Sequence, residues 1–262
     1  MVEAQAAEHA AEGAAQSGSH LPNPMHQFEI ERIIPLKLFG FDASFTNSAL
    51  FMVIAASLIT LFTLYAMRSR ALVPSRLQSV AEISYEFVAS MVRDNVGTDG
   101  KKYFPFVFTL FMFVLTLNML GMVPYSFTVT SHIIVTFALA AVVFIGVTVI
   151  GFLRHGTTFL KLFVPSGVPP LLLPLLVVIE ILSYLTRPIS LSVRLFANMM
   201  AGHTMLKVFG GFVVALGFLG GWAPLAFVVA LTGLEIGIAF LQAYVFTILT
   251  CIYLNDAIHV HH

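Results

Sequence analysis

The chain has 262 residues, of which 58% are hydrophobic and only 10% charged, and its mean hydropathy is +0.93. Soluble domains carry about 25% charged residues, so this composition excludes an ordinary soluble fold and makes the chain an integral membrane protein with apolar side chains facing lipid. Thirteen basic residues balance thirteen acidic ones, so no basic excess points to nucleic acid and no acidic excess to a solvating tail. The single cysteine, Cys251, rules out an intramolecular disulfide and a thiolate metal cluster.

Residues 1–25 read as a flexible N-terminal tail, because the first twenty are rich in Ala, Glu, Gln, Gly and Ser and resemble neither a signal peptide nor an Arg-rich transit peptide. The rest, 26–262, reads as one membrane domain. Residues 45–67 are uncharged and apolar, long enough to cross a hydrocarbon core of about 30 Å. Over 74–96, Pro74 opens a helix in which Leu77, Val80, Ile83, Phe87, Val88 and Met91 recur at helical spacing opposite Gln78, Glu82, Glu86 and Arg93. This predicts an amphipathic helix lying in the membrane interface. Two further charge-free spans follow at 103–123 and 133–153.

The next segment, 171–216, is apolar but carries Glu180, Arg187, Arg194 and Lys207, and 225–254 carries Glu235. As one helix, 171–216 would run about 69 Å, so it is either two spans or one strongly tilted helix, with Pro188 as the point of a break or bend. The uncharged stretch 217–224, with Gly220, Gly221 and Pro224, predicts a turn that doubles the chain back. The expected fold is thus an all-α membrane protein of five embedded helical segments, including a long tilted hairpin, plus the interfacial helix.

Lysines and arginines cluster in the first link (Arg68, Arg70, Arg76, Arg93, Lys101, Lys102) and the third (Arg154, Lys161), whereas the second has none. Both basic links should face the cytoplasm. With a single crossing by 171–216, the N-terminus lies outside and the C-terminus inside.

An ionisable residue at the centre of a membrane span costs about 2.5–3.5 kcal/mol or more and marks an ion path or a buried pair. At about 100° per residue from Arg194, Arg187 falls near 20°, Glu180 and Asn198 near 40° and Ser190 near −40°, one polar stripe; His203 falls on the opposite face. Glu235 and, seven residues on, Gln242 share a face of the following helix. Two polar surfaces with different partners suit two separated aqueous paths. Simpler readings stand beside this one: Arg187 and Glu180 as a structural pair, Lys207 snorkelling to an interface, His203 and Glu235 as packing rather than a proton relay, and His259, His261 and His262 as a frayed tail rather than a metal site. Arg194 has no acid at i±3 or i±4, so its charge is directed at another chain. There is no Walker loop, HExxH pair or GxSxG elbow, so no nucleotide or hydrolytic site of its own is expected, and no cofactor or metal.

The stretch 187–203, RPISLSVRLFANMMAGH, with LQAYVFTILTCIYL at 241–254, resembles the subunit a family of F-type rotary ATP synthases. The matching residues are Pro188, Ser190, Leu191, Arg194, Leu195, Asn198, Met199, Ala201 and Gly202 in the first stretch and Gln242, Ala243 and Tyr244 in the second. The resemblance implies that Arg194 faces the rotating c-ring, that Glu180, Asn198, His203, Glu235 and Gln242 line two proton half-channels, and that Arg187, Ser190 and Tyr244 are secondary. It also implies peripheral-stalk b subunits as partners and an energy-transducing membrane, the bacterial inner membrane, as the location. Many bacterial members carry the acid where His203 stands and the histidine where Glu235 stands; the exchanged order here resembles mitochondrial and alphaproteobacterial members. The rival class is a self-contained secondary transporter or ion channel. It calls for inverted repeats, which the charge-free first half does not supply.

Overall fold

The computed structural model describes residues 32–34, 37–38, 41–42, 44–68, 74–123, 126–164 and 172–259; the tail expected over 1–25, and His261 and His262, lie outside the described residues. Ahead of the first span come two short antiparallel ladders that an all-helical expectation did not contain. The outer one pairs β1 (Arg32–Ile34) with β4 (Phe45–Thr46), and the inner one pairs β2 (Lys37–Leu38) with β3 (Phe41–Asp42). Phe45 and Thr46 therefore belong to a strand, and the first span begins two residues later than the apolar run suggests. Thr46 caps it, its Oγ1 accepting from the backbone N–H of Ala49.

Five helices are long and apolar enough to cross a membrane. They are α1 (Asn47–Ala66), α3 (Phe104–Gly121, led in by a 310 turn at Thr98–Tyr103), α4 (Ile133–His155), α5 (Leu173–Gly220) and α6 (Trp222–Ile258), with α2 (Arg76–Val96) between the first two. Ser75 starts α2 by accepting from the N–H of Gln78 at 3.3 Å, which satisfies one of the free donors of the first turn. Pro105 sits in the first turn of α3, where its missing N–H has no intrahelical partner to lose.

The apolar stripe of α2 divides into two halves. Leu77, Val80 and Ile83 are exposed at 54%, 53% and 65%, whereas Val88, Met91, Val92 and Val96 are buried. The helix thus exposes apolar side chains in its first half and belongs to the packed body in its second, where it lies against α3 and α6. The apolar stripe read from the sequence is thus shared between an exposed half and a packed half.

Residues 173–216 form one helix rather than two. α5 passes through Pro188, at the cost of the hydrogen bond that the Tyr184 carbonyl would otherwise receive, and stays helical until Gly217, whose φ of 60° and ψ of −156° break the run. At about 1.5 Å per residue, α5 is more than twice as long as a hydrocarbon core is thick. At the following turn an added Cβ on Gly221 would stand 2.6 Å from the Gly217 carbonyl oxygen and 2.9 Å from that of Val213, so only glycine lets the chain close so tightly.

α5 lies along α4 and α6, α3 packs on α6, and α1 leans on α3. Their shared core includes Val88, Val107, Phe111, Val114, Leu191, Leu195, Phe246 and Leu254, and a smaller cluster gathers Ala55, Leu117, Phe127 and Val129. Lipid is as apolar as these side chains, so what holds the helices together is close van der Waals fit and internal hydrogen bonds rather than removal from water. One such bond runs from Asn118 Nδ2 on α3 to the carbonyl of Ala239 on α6, at 3.2 Å.

Candidate proton-path site

The polar residues of α5 sort onto two faces. Arg194 and Ser190 are exposed, and Glu180 and Asn198 are partly exposed on the same stripe. His203 is buried on the opposite side. Among the described residues Arg194 has no ion pair, so its guanidinium stands uncompensated on the outer face of the helix. Leu191, Ser192 and Leu195 are buried, so that side of the helix faces inward and Arg194 outward.

On the inner side His203 Nδ1 lies 2.6 Å from Glu235 Oε1, bringing together the two residues that the sequence paired. The other ring nitrogen, Nε2, is 2.7 Å from the carbonyl oxygen of Gly121 at the end of α3. A carbonyl only accepts, so Nε2 carries a hydrogen and the proton state of the ring is decided at Nδ1. One proton then serves Nδ1 and the carboxylate: either an imidazolium faces a carboxylate, or a neutral ring faces a carboxylic acid. Both forms are neutral overall, which is the cheapest charge state for a buried pair. Gly202 makes the room, since a Cβ there would lie 2.6 Å from Glu235 Oε1.

Gln242 is buried two turns further along α6, and Asn118 anchors to Ala239 between the levels of Glu235 and Gln242. Glu235 Oε2, Gln242 Nε2 and Asn118 Oδ1 are buried with no hydrogen-bond partner among the described residues. Tyr244, also named from the sequence, packs its ring 5.8 Å from that of Phe87 on α2 and stands among aromatic neighbours. Lys207 is partly buried. His259 is exposed, and its Nδ1 lies 2.8 Å from Asn255 Oδ1.

Arg187 departs from the expected pairing with Glu180. Its Nη1 donates to Asp256 Oδ2 on α6 at 2.9 Å, and its guanidinium lies 4.9 Å from the Tyr253 ring centre and 5.3 Å from that of Tyr184. Glu180 is two turns away along the same helix, about 10.5 Å, whereas Asp256 faces Arg187 from the neighbouring helix. Four contributors were missed by reasoning from the sequence: Asp256, Asn118, the Gly121 carbonyl and the space at Gly202. Asn118 was legible as an amide in an otherwise apolar span, and Asp256 as an acid in the last turn of a helix, where the dipole disfavours it. The Gly121 carbonyl leaves no trace in a side-chain pattern.

The family described as ATP synthase A chain matches residues 49–255. The chain belongs to the ATP synthase A chain family. Among its relatives is the ATP synthase subunit a of Pelagibacter ubique, 65% identical over 241 residues that cover 92% of this chain and 99% of that protein. The subunit a of Parvibaculum lavamentivorans is 61% identical over 96% of this chain and 100% of its own length, and that of Chelativorans sp. is 63% identical over 92% and 99%. Membership in the ATP synthase A chain family makes this a multi-pass membrane component of a proton-translocating ATP synthase. It also agrees with the alphaproteobacterial resemblance of the His203 and Glu235 arrangement.

Proposed function

We propose that this chain is the stator-side proton channel of its ATP synthase, delivering protons to, and collecting them from, a ring of c subunits through two offset half-channels. The observation that carries this reading is Arg194, exposed and unpaired among the described residues on one face of α5, with the buried His203–Glu235 pair on the other. A carboxylate on each c subunit must be neutral while it faces lipid and ionises only where water or a cation stabilises it. Arg194 supplies the cation. A guanidinium does not release its proton at any working pH, so it holds the carboxylate ionised without carrying protons and blocks a direct leak from one half-channel to the other. Protons therefore travel with the ring.

His203, Glu235 and Gln242 on the inner side, with Glu180 and Asn198 on the stripe, serve the two half-channels. Burial of Glu235 Oε2 and Gln242 Nε2 without hydrogen-bond partners among the described residues supports a hydrated approach, because such groups are normally satisfied by protein or by water. With Nε2 held by the Gly121 carbonyl, protons reach and leave the pair through the Glu235 carboxylate and Nδ1. Each proton crossing the full potential releases about 2.3 kcal/mol per 100 mV, and that work turns the ring. The remaining partners are peripheral-stalk b subunits, and the setting is a bacterial inner membrane with the N-terminus outside and the C-terminus in the cytoplasm.

The test is Arg194→Ala in membranes containing the assembled complex: ATP synthesis is lost while subunit content is unchanged. Arg194→Lys fails as well, because a compact ammonium loses its charge more readily when desolvated and lacks the planar fork. At 4 Å and an effective dielectric of 20 the Coulomb term is about 4 kcal/mol, enough to set the ionisation of a passing carboxylate without locking it. Normal synthesis in Arg194→Ala membranes removes the residue from the mechanism.

A further inference from the structure

α5 carries two arginines on nearly one line, Arg187 and Arg194, two turns or about 10.5 Å apart. Among the described residues only one of them is compensated. Asp256 meets Arg187 at 2.9 Å, with side-chain exposures of 34% and 23%, and the rings of Tyr184 and Tyr253 flank the guanidinium at 5.3 and 4.9 Å. Tyr184 is itself pinned, its hydroxyl 2.8 Å from Thr148 Oγ1 on α4. The ion pair thus ties α5 to α6 and rests, through Tyr184, on α4. Asp256 lies in the last turn of α6, where the negative end of the helix dipole makes an acid unfavourable. It also stands one residue beyond the stretch matched by the family. An acid held at such a place answers a specific cation, and the cation is Arg187.

We infer that Asp256 is a positioning residue that neutralises Arg187 and holds it off the rotor-facing stripe, leaving Arg194 as the uncompensated guanidinium that a rotor carboxylate meets. This rests on the reading of Arg194 given above. A carboxylate leaving Arg194 then finds no second uncompensated arginine on that stripe of α5 and is free to take up a proton. Without Asp256, Arg187 presents a second positive charge about two turns away, and the carboxylate is retained there in its ionised form.

The experiment uses the whole complex in its membrane and compares Asp256→Asn with the double variant Arg187→Gln, Asp256→Asn. Asp256→Asn is expected to slow ATP synthesis about five-fold, and the double variant, which removes the stray cation, to recover to within about two-fold of the unsubstituted rate. If Asp256 merely fastens two helices together, neutralising Arg187 as well gives no recovery, and that result overturns the inference. So does an unaltered rate in Asp256→Asn. Should Asp256→Asn fail to assemble, the double variant decides alone: assembled and active supports the inference, absent or inactive overturns it. Arg194→Ala measured in parallel separates the two readings. Normal synthesis there defeats the rotor-facing role of Arg194, whereas loss there with an unrescued double variant defeats only the assignment of Asp256.

Discussion

The His203–Glu235 contact is short because Gly202, the residue before the histidine, has no side chain to occupy the place of the carboxylate. Gly202→Ala separates function from stability. Alanine favours a helix by roughly 0.5–1 kcal/mol over glycine, and the atom it strikes is the far end of a flexible glutamate, so the carboxylate swings away while the backbone stays. The expected outcome is an unchanged or slightly raised unfolding temperature, with ATP-driven proton pumping about ten-fold slower because a displaced donor loses its alignment. Equal loss of fold and pumping contradicts this. Exchange of the pair, His203→Glu with Glu235→His, gives a second measurement: each single change slows pumping, and the exchanged pair recovers part of it because the shared proton again has both partners. If each single variant pumps normally, the pair is packing only.

At the level of the helix, Gly217 is the residue that breaks the run of α5 near its end. Its φ of 60° with ψ of −156° falls in a region that only glycine occupies without strain, and no neighbouring atom stands within 4 Å of an added Cβ. The cost of Gly217→Ala is therefore backbone strain alone, about 1–3 kcal/mol, seen as a lower unfolding temperature of the purified complex. An unchanged unfolding temperature shows that the turn relaxes. The helices were readable from the sequence because an apolar run of twenty or so residues has few alternatives in lipid; the expected turn at 217–224 is narrower, its break at Gly217–Gly221, with Pro224 in the first turn of α6. The two ladders over Arg32–Thr46 were not readable, since strands of two or three residues are too short for a period to show. The split stripe of α2 and the partner of Arg187 were hidden for a different reason. Both depend on which neighbouring helix arrives, and a helical wheel gives the direction in which a side chain points without naming what it meets.

For the molecule in its membrane, the testable statement is topological: reporter fusions should place the N-terminus outside and the C-terminus inside, since an odd number of crossings separates them. A C-terminal reporter on the outer side contradicts a single crossing by α5 and with it the two-path mechanism. The length of α5 has a further consequence. From Glu180 to His203 is about 35 Å along the helix axis, already more than the thickness of the hydrocarbon core. For the whole of α5 to stay within about 30 Å of hydrocarbon it must lean more than about 60° from the membrane normal. Most of that separation then becomes displacement in the plane, along the circumference of whatever turns beside it. On the proposed reading, two half-channels opening near Glu180 and His203 would be offset sideways by about 30 Å, about as far as the hydrocarbon is deep. If that reading holds, the hand of the lean sets the sense of rotation: a mirror-image tilt, with the same residues and the same potential, would drive the rotor backwards.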